Sequence, residues 1–185
     1  QKYVADKSVL AIIGPSTSGA VAATSKTFLD AKLAHISPSA TRISLTKGAN
    51  KEATSAFFRV VPGDYIQGPT DANYMISKGA KSVVLFDFQE PYSQGLSDSA
   101  ESVLKAKGVK TTRFSVSNTV TDFGSFVTKV PGDADFVFFP TQKPGDAQNI
   151  AQQLNQASQG VQAEAPAAEY LPAEQGVQVE APAAE

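Results

Sequence analysis

The sequence predicts an α/β fold in which parallel strands are covered by helices and grouped into two lobes, the first of them incomplete. Three observations carry that expectation. Strand-like and helix-like segments alternate along the chain, the pattern of a parallel sheet with helical crossovers. The alternation is interrupted at Val61-Pro62-Gly63-Asp64 and then starts again. Only three strand-like segments precede the interruption, too few for a lobe of this kind to close its own core. The expected division is a partial first lobe over residues 1–61, a second lobe over 62–160, and a tail over 161–185.

The elements follow in order. Ser8 to Ile13 (SVLAII) is a short apolar run ended by Gly14 and Pro15, as expected of a strand buried on both faces. Gly19 to Lys32 is Ala-rich, with Val21, Phe28 and Leu29 available for packing, and reads as a helix entered through Ser16-Thr17-Ser18. Leu33 to Ser37 and Phe57 to Val61 (FFRVV) are the second and third strands. Asp64 is suited to N-cap the next segment, because a carboxylate accepts from the unpaired N–H groups of a helix start. After it, Ser82 to Phe86 (SVVLF) is a strand and Ser93 to Lys107 a helix closed by Gly108. Val109 to Val116 alternates like a strand, Asp122 to Lys129 is a short helix, Phe136 to Phe139 (FVFF) a strand, and Gly145 to Gln159 a helix closed by Gly160.

The tail differs in kind. Gly160 to Glu169 (GVQAEAPAAE) and Gly176 to Glu185 (GVQVEAPAAE) are near-copies dominated by Ala, Glu and Pro. A single repeated pair falls short of the roughly three units a solenoid needs to bury a core. A poorly ordered segment is expected there.

Composition narrows the function. With 42% apolar and 18% charged residues the 185-residue chain can bury a sizeable core. A net charge of −2 gives no basic footprint, which argues against nucleic acid as a partner. No apolar run approaches a membrane span, and no secretory leader is present. The chain opens at Gln1 without a start methionine, which fits a leader that has been removed. There is no cysteine and a single histidine, His35, so thiolate sites are excluded and histidine-based metal sites and triads are sharply limited. No metal and no cofactor is expected.

Three loops could carry chemistry. Gly14-Pro15-Ser16-Thr17-Ser18-Gly19 lies between a strand and a helix N-terminus. Unpaired N–H groups, the positive end of the helix dipole and three hydroxyls suit it to a carboxylate or phosphate. It also lies at the carboxyl end of a strand, where open α/β sheets bind ligands. An ordinary Ser/Thr helix cap with nothing bound accounts for it equally well. Ser37-Pro38-Ser39-Ala40-Thr41 follows the next strand and would face the first loop across the same rim if the two strands are neighbours. Phe88-Gln89-Glu90-Pro91-Tyr92 places an aromatic at a strand end in the second half, where it would either cover a ligand or pack at a helix start. Catalytic alternatives fit poorly. Gly14 to Gly19 is G-x-S-x-S-G rather than the G-x-S-x-G elbow, no histidine follows His35, and no Lys-Ser/Thr completes a phosphate loop. His35, inside a short apolar strand, reads as structural.

Taken together, the stretches IIGPSTSGAVAATS, HISPSATRISLTKG, FFRVVPGDYIQGPTDANYM, SVVLFDFQEPYSQGL and ADFVFFPTQKPGDAQNIAQQLNQASQG resemble the leucine/isoleucine/valine-binding family of ABC-transporter receptors. They occur in family order over roughly residues 1–160. The resemblance implies a type I periplasmic-binding fold: two Rossmann-like, doubly wound lobes joined by hinge crossovers that close on a small molecule. It implies a periplasmic or extracellular protein that is not an enzyme. It is expected to act as a monomer and to deliver an amino acid, or a related carboxylate or amide, to a membrane permease. By position, Ser18 would bind the carboxylate through its hydroxyl and N–H, beside Ser16 and Thr17. Ser39 would offer its carbonyl to the ammonium, next to Ala40, and Thr41 would contribute hydroxyl and backbone. Tyr92 would cover the ligand from the second lobe.

The chain departs from the family in three places. The family's opening strand, helix and strand have no counterpart. Thr141-Gln142-Lys143 stands where many members carry an aromatic; Gln142 and Lys143 are candidate ligand contacts there, and Lys143 near the pocket would favour an acidic or more polar ligand. The family's acidic ammonium partner would fall in the Ala/Glu/Pro tail, where Glu164 and Glu169 are only nominal candidates. Two other readings stay open: a ligand-sensing receptor domain on the same lobes, and a flavodoxin-like enzyme domain using the serine loop for a phosphate.

Overall fold

The structure, a computed structural model, describes residues 2–160; the repeat tail, with Glu164 and Glu169, lies outside the described residues. Its elements are α1 (Lys2–Ala5), β1 (Ala11–Ile13), α2 (Ser18–Asp30), β2 (Ala34–Ser37), β3 (Phe57–Arg59), α3 (Asp64–Ser77), β4 (Ser82–Asp87), α4 (Pro91–Ala106), β5 (Lys110–Ser115), α5 (Gly124–Val127), β6 (Phe136–Phe138) and α6 (Pro144–Gly160). A 3₁₀ turn at Ile43–Leu45, which the sequence pattern does not announce, sits between β2 and β3. The strands form two separate three-stranded sheets, in the orders β1-β2-β3 and β5-β4-β6, and every pairing is parallel.

In the second sheet β4 is central, and all six of its residues are buried. Its alternation sorts side chains between two cores. Val83 and Leu85 pack with Ala72, Met75, Ala100 and Leu104 beneath α3 and α4. Val84 and Phe86 pack on the opposite face with Phe123, Val127 and Ile150. Helices therefore cover both faces, the doubly wound arrangement expected.

The first sheet is covered differently. His35 and Ser37 point under α2 and are buried, whereas Ile36, one residue between them, is exposed. On that uncovered face Ile13 is 91% exposed, Phe58 55% and Val60 76%. The expectation that the first strand is buried on both faces is thus corrected. β1 is an edge strand, and among the described residues its sheet carries helix on one face only. His35 does have the structural place expected. Its ring lies between Phe28 and Phe57, at centroid distances of 4.8 and 5.2 Å, with Nε2 3.2 Å from Ser25 Oγ. Burial lowers its pKa from the ordinary histidine value, which favours the neutral ring.

Several helix starts differ from expectation, among them those of α3 and α4. Asp64 is the first residue of α3 rather than its cap; Gly63 takes the cap position, without a side-chain cap hydrogen bond. α4 begins at Pro91, earlier than Ser93, because Pro is pre-set for the first helical position and Glu90 caps it. The Glu90 carboxylate accepts from Ser93 N (2.7 Å) and Tyr92 N (3.3 Å).

α3 and α4 pack closely, and Gly68 is the point of contact. A Cβ there would fall 2.5 Å from Ser99 Cβ and 2.9 Å from the backbone N of Ala100. Gly68→Ala should therefore destabilise the protein by about 1–2 kcal/mol in urea denaturation, because forced separation of the helices outweighs alanine's helix propensity. A gain in stability would contradict that packing.

Candidate ligand-binding site

Parallel pairing of β1 with β2 brings their two following loops to one rim, and hydrogen bonds join them there. Ser39 Oγ donates to the Ser16 carbonyl at 2.7 Å, and the Arg42 N–H donates to Ser18 Oγ at 3.2 Å. Thr17 caps α2, its hydroxyl accepting from Ala20 N at 3.3 Å. Ser18 is almost fully buried, while Ser16, Thr17 and Ser39 are exposed at the mouth. Since Ser18 Oγ accepts from Arg42, its own proton remains available as a donor. Ala40 is fully buried; its N–H donates to Ser37 Oγ and its carbonyl accepts from Arg59. That leaves Ala40 backing the loop. Thr41 is half-buried, and its Oγ1 is shielded from solvent and completes no well-formed hydrogen bond.

The crossover from β3 into α3 supplies two further charged groups. Arg59 reaches back from the end of β3 to the carbonyls of Ala40 and Arg42. Asp64 is fully buried beside Thr41, Arg59 and Arg42, and neither carboxylate oxygen completes a well-formed hydrogen bond. Burial raises its pKa, and the Thr41 hydroxyl and the two arginines oppose that rise.

From the other side, the N-terminus of α4 approaches that of α2. A Cβ on Gly19 would lie 3.3 Å from Pro91 Cγ, so glycine permits the close approach. Tyr92 follows directly. Its ring is half-buried, with the Gln67 side chain against its hydroxyl and Asp64, Asp71 and Glu90 nearby. Burial pushes the phenol up to about 12, so it stays a protonated donor. Burial, reinforced by Asp64, also lifts Asp71 to about 6.

The loops after β4 and β6 are joined through Ser93, whose Oγ donates to the Pro140 carbonyl and accepts from Phe88 N. Beside them lies a cavity of about 180 Å³ lined by Phe88, Glu90, Asn118, Gln142, Lys143 and Asp146, among others. Gln142 and Lys143 thus fall together at this rim. The Lys143 ammonium donates to the Asn118 carbonyl and lies 4.0 Å from Asp146. Among the described residues no group of three or more His, Asp or Glu side chains could hold a metal, and no helix is long and apolar enough to cross a membrane.

Two sets of parallel strands, each presenting its loops beside a helix N-terminus, define a type I periplasmic-binding fold. The family model for periplasmic binding proteins matches residues 1–183, and the chain belongs to that family. Among solved structures, the leucine-binding protein LivK of Thermotoga maritima matches with a TM-score of 0.76 and 25% identity, over 85% of this chain and 44% of that one. LivJ of Streptococcus pneumoniae, solved with isoleucine, matches with a TM-score of 0.70 and 31% identity, over 84% of this chain and 43% of that one. A solute-binding protein of R. palustris in complex with 4-hydroxybenzoate has a TM-score of 0.73 at 18% identity, over 85% and 43% of the two chains, which shows the fold alone. The chain spans less than half the length of each. Comparison with curated proteins gives no match.

The site pattern in the sequence does not single out Arg59, Asp64, Gln67 or Asp71. One signal was present: Arg59 interrupts the apolar run FFRVV, and a guanidinium at such a place needs acceptors. Asp71 yields a pH prediction. The ordinary carboxyl value is 3.8, and the folded value is about 6, so the folded state binds the extra proton between them. The stabilising contribution is present below about pH 4 and is lost as pH rises through 6. Asp71→Asn should therefore raise stability by about 1 kcal/mol at pH 8, allowing for solvent screening, and leave it unchanged near pH 4. Urea denaturation at the two pH values checks this; equal effects at both would contradict it.

Proposed function

We propose that this protein is an extracytoplasmic solute-binding receptor that captures an amino acid or related carboxylate between two lobes, residues 1–61 and 62–160, for import by an ABC transporter. It holds the ligand without changing it chemically and acts as a monomer. The observation that carries this reading is the polar cradle at the start of α2. There the buried Ser18 hydroxyl has a free proton, the Thr41 hydroxyl lies against the buried Asp64 carboxyl group without a well-formed hydrogen bond, and the helix N-terminus adds unpaired N–H groups.

In the mechanism that follows, the ligand carboxylate sits on Ser18 at the positive end of α2, with Ser16 and Thr17 at the mouth. The Ser39 carbonyl and Thr41 receive the ammonium where the ligand has one. Closure brings Tyr92 and the cavity wall of Gln142 and Lys143 against the far end of the ligand. Removing water strengthens the charged hydrogen bonds. Because Lys143 is held by Asn118 and Asp146, that wall offers polar contacts rather than a purely apolar slot. Support for an amino acid as the candidate ligand comes from the relative solved with isoleucine.

Isothermal titration with leucine, isoleucine and 4-hydroxybenzoate tests the reading. At least one should bind. Thr41→Ala should then weaken that ligand by about tenfold or more, the scale of one hydrogen bond to a charged group, with the unfolding midpoint nearly unchanged. Unchanged affinity would remove Thr41 from the site.

A further inference from the structure

Three successive carbonyls of the loop after β2 are all taken up by the crossover that leaves β3. Arg59 Nη1 donates to Ala40 O at 3.2 Å and to Arg42 O at 3.0 Å. Between them, Thr41 O accepts from the Asp64 N–H at 2.9 Å. The second arm of the guanidinium, Nη2, donates to Thr46 Oγ1 at 2.7 Å and so holds the far end of the same segment. Val60 N adds a bond to the Ser37 carbonyl at 3.3 Å, at the loop's beginning. The Asp64 carboxylate is fully buried next to the Thr41 hydroxyl, with Arg59 and Arg42 as its nearest positive charges.

From this geometry we infer that Arg59 is a positioning residue for the ligand loop, fastening residues 40–46 to the crossover and so tying the loop's shape to the joint between the lobes. The inference rests on the proposed binding role of Thr41, which it deepens. With their carbonyls directed at the crossover, Ala40 to Arg42 form one rigid edge, and Thr41 is placed by bonds on both of its sides. A guanidinium does this where an ammonium does not. Its planar fork serves Ala40 O, Arg42 O and Thr46 Oγ1 in fixed directions, whereas a lysine head is a compact charge on a flexible stem. Movement at the crossover therefore reaches the ligand loop directly, through four backbone acceptors and one side chain. Asp64 contributes in two ways: its N–H holds Thr41 O, and its carboxyl group is buried beside Thr41 and the two arginines.

The test uses Arg59→Met and Arg59→Lys in the full chain, with hydrogen exchange, leucine titration and urea unfolding as readouts. Arg59→Met should speed amide exchange over residues 39–47 by at least tenfold while leaving β4 and α4 at the wild-type rate. It should also weaken leucine binding at least tenfold, and Arg59→Lys should recover only part of either loss. Exchange over 39–47 that matches wild type in Arg59→Met would overturn the inference. So would equal acceleration in every segment, the mark of a merely structural loss. If wild type does not bind leucine but the local exchange effect is present, the fastening role stands and leucine recognition fails. The two claims are thereby separated.

Discussion

Parallel strand pairing is the constraint on which the remaining structure depends. It sends the carboxyl end of every strand in a sheet to the same rim, and each strand must then return through a crossover. In the first sheet this places the loops after β1 and β2 side by side, where Ser39 and Ser16, and Arg42 and Ser18, join them. In the second sheet it places the loops after β4 and β6 together, joined by Ser93. The rim proposed to bind ligand is the consequence of a pairing rule, and the hydroxyl-rich loops are what the sequence adds to it.

The two sheets communicate through few contacts, and those contacts are specific. Gly19 lets the start of α2 lie against Pro91 at the start of α4, so two positive helix ends face a common space. Asp64 and Arg59 then tie the crossover to the loop that carries Thr41. The carboxyl groups of Asp64, Asp71 and Glu90 lie near Tyr92, and Asp64 lies beside Thr41 as well.

Much of this was legible in the residues. The alternation of segments announces the parallel α/β fold because apolar runs and helical stretches are separated by Gly, Pro and Ser. The loops at 14–19 and 37–41 stand out because hydroxyls follow directly on strand ends. Other features were not legible, for physical reasons. SVLAII is apolar enough for a doubly buried strand, but only the sheet order shows that β1 lies at an edge. Asp64 looks like a cap because Asp caps helices, yet its neighbours Thr41, Arg59 and Arg42 come from elsewhere in the chain and draw the carboxylate inward. Arg59's acceptors lie 13 to 19 residues away, beyond the reach of any local pattern.

The most direct measurement of the central claim is a crystal structure of the protein with whichever titrated ligand binds most tightly. The ligand carboxylate is expected at the start of α2, within hydrogen-bonding distance of Ser18, with Thr41 touching the same molecule and Tyr92 on its opposite side. A ligand bound away from Ser18 and Thr41, or with its carboxylate turned toward Glu90 and Asp146, would contradict it.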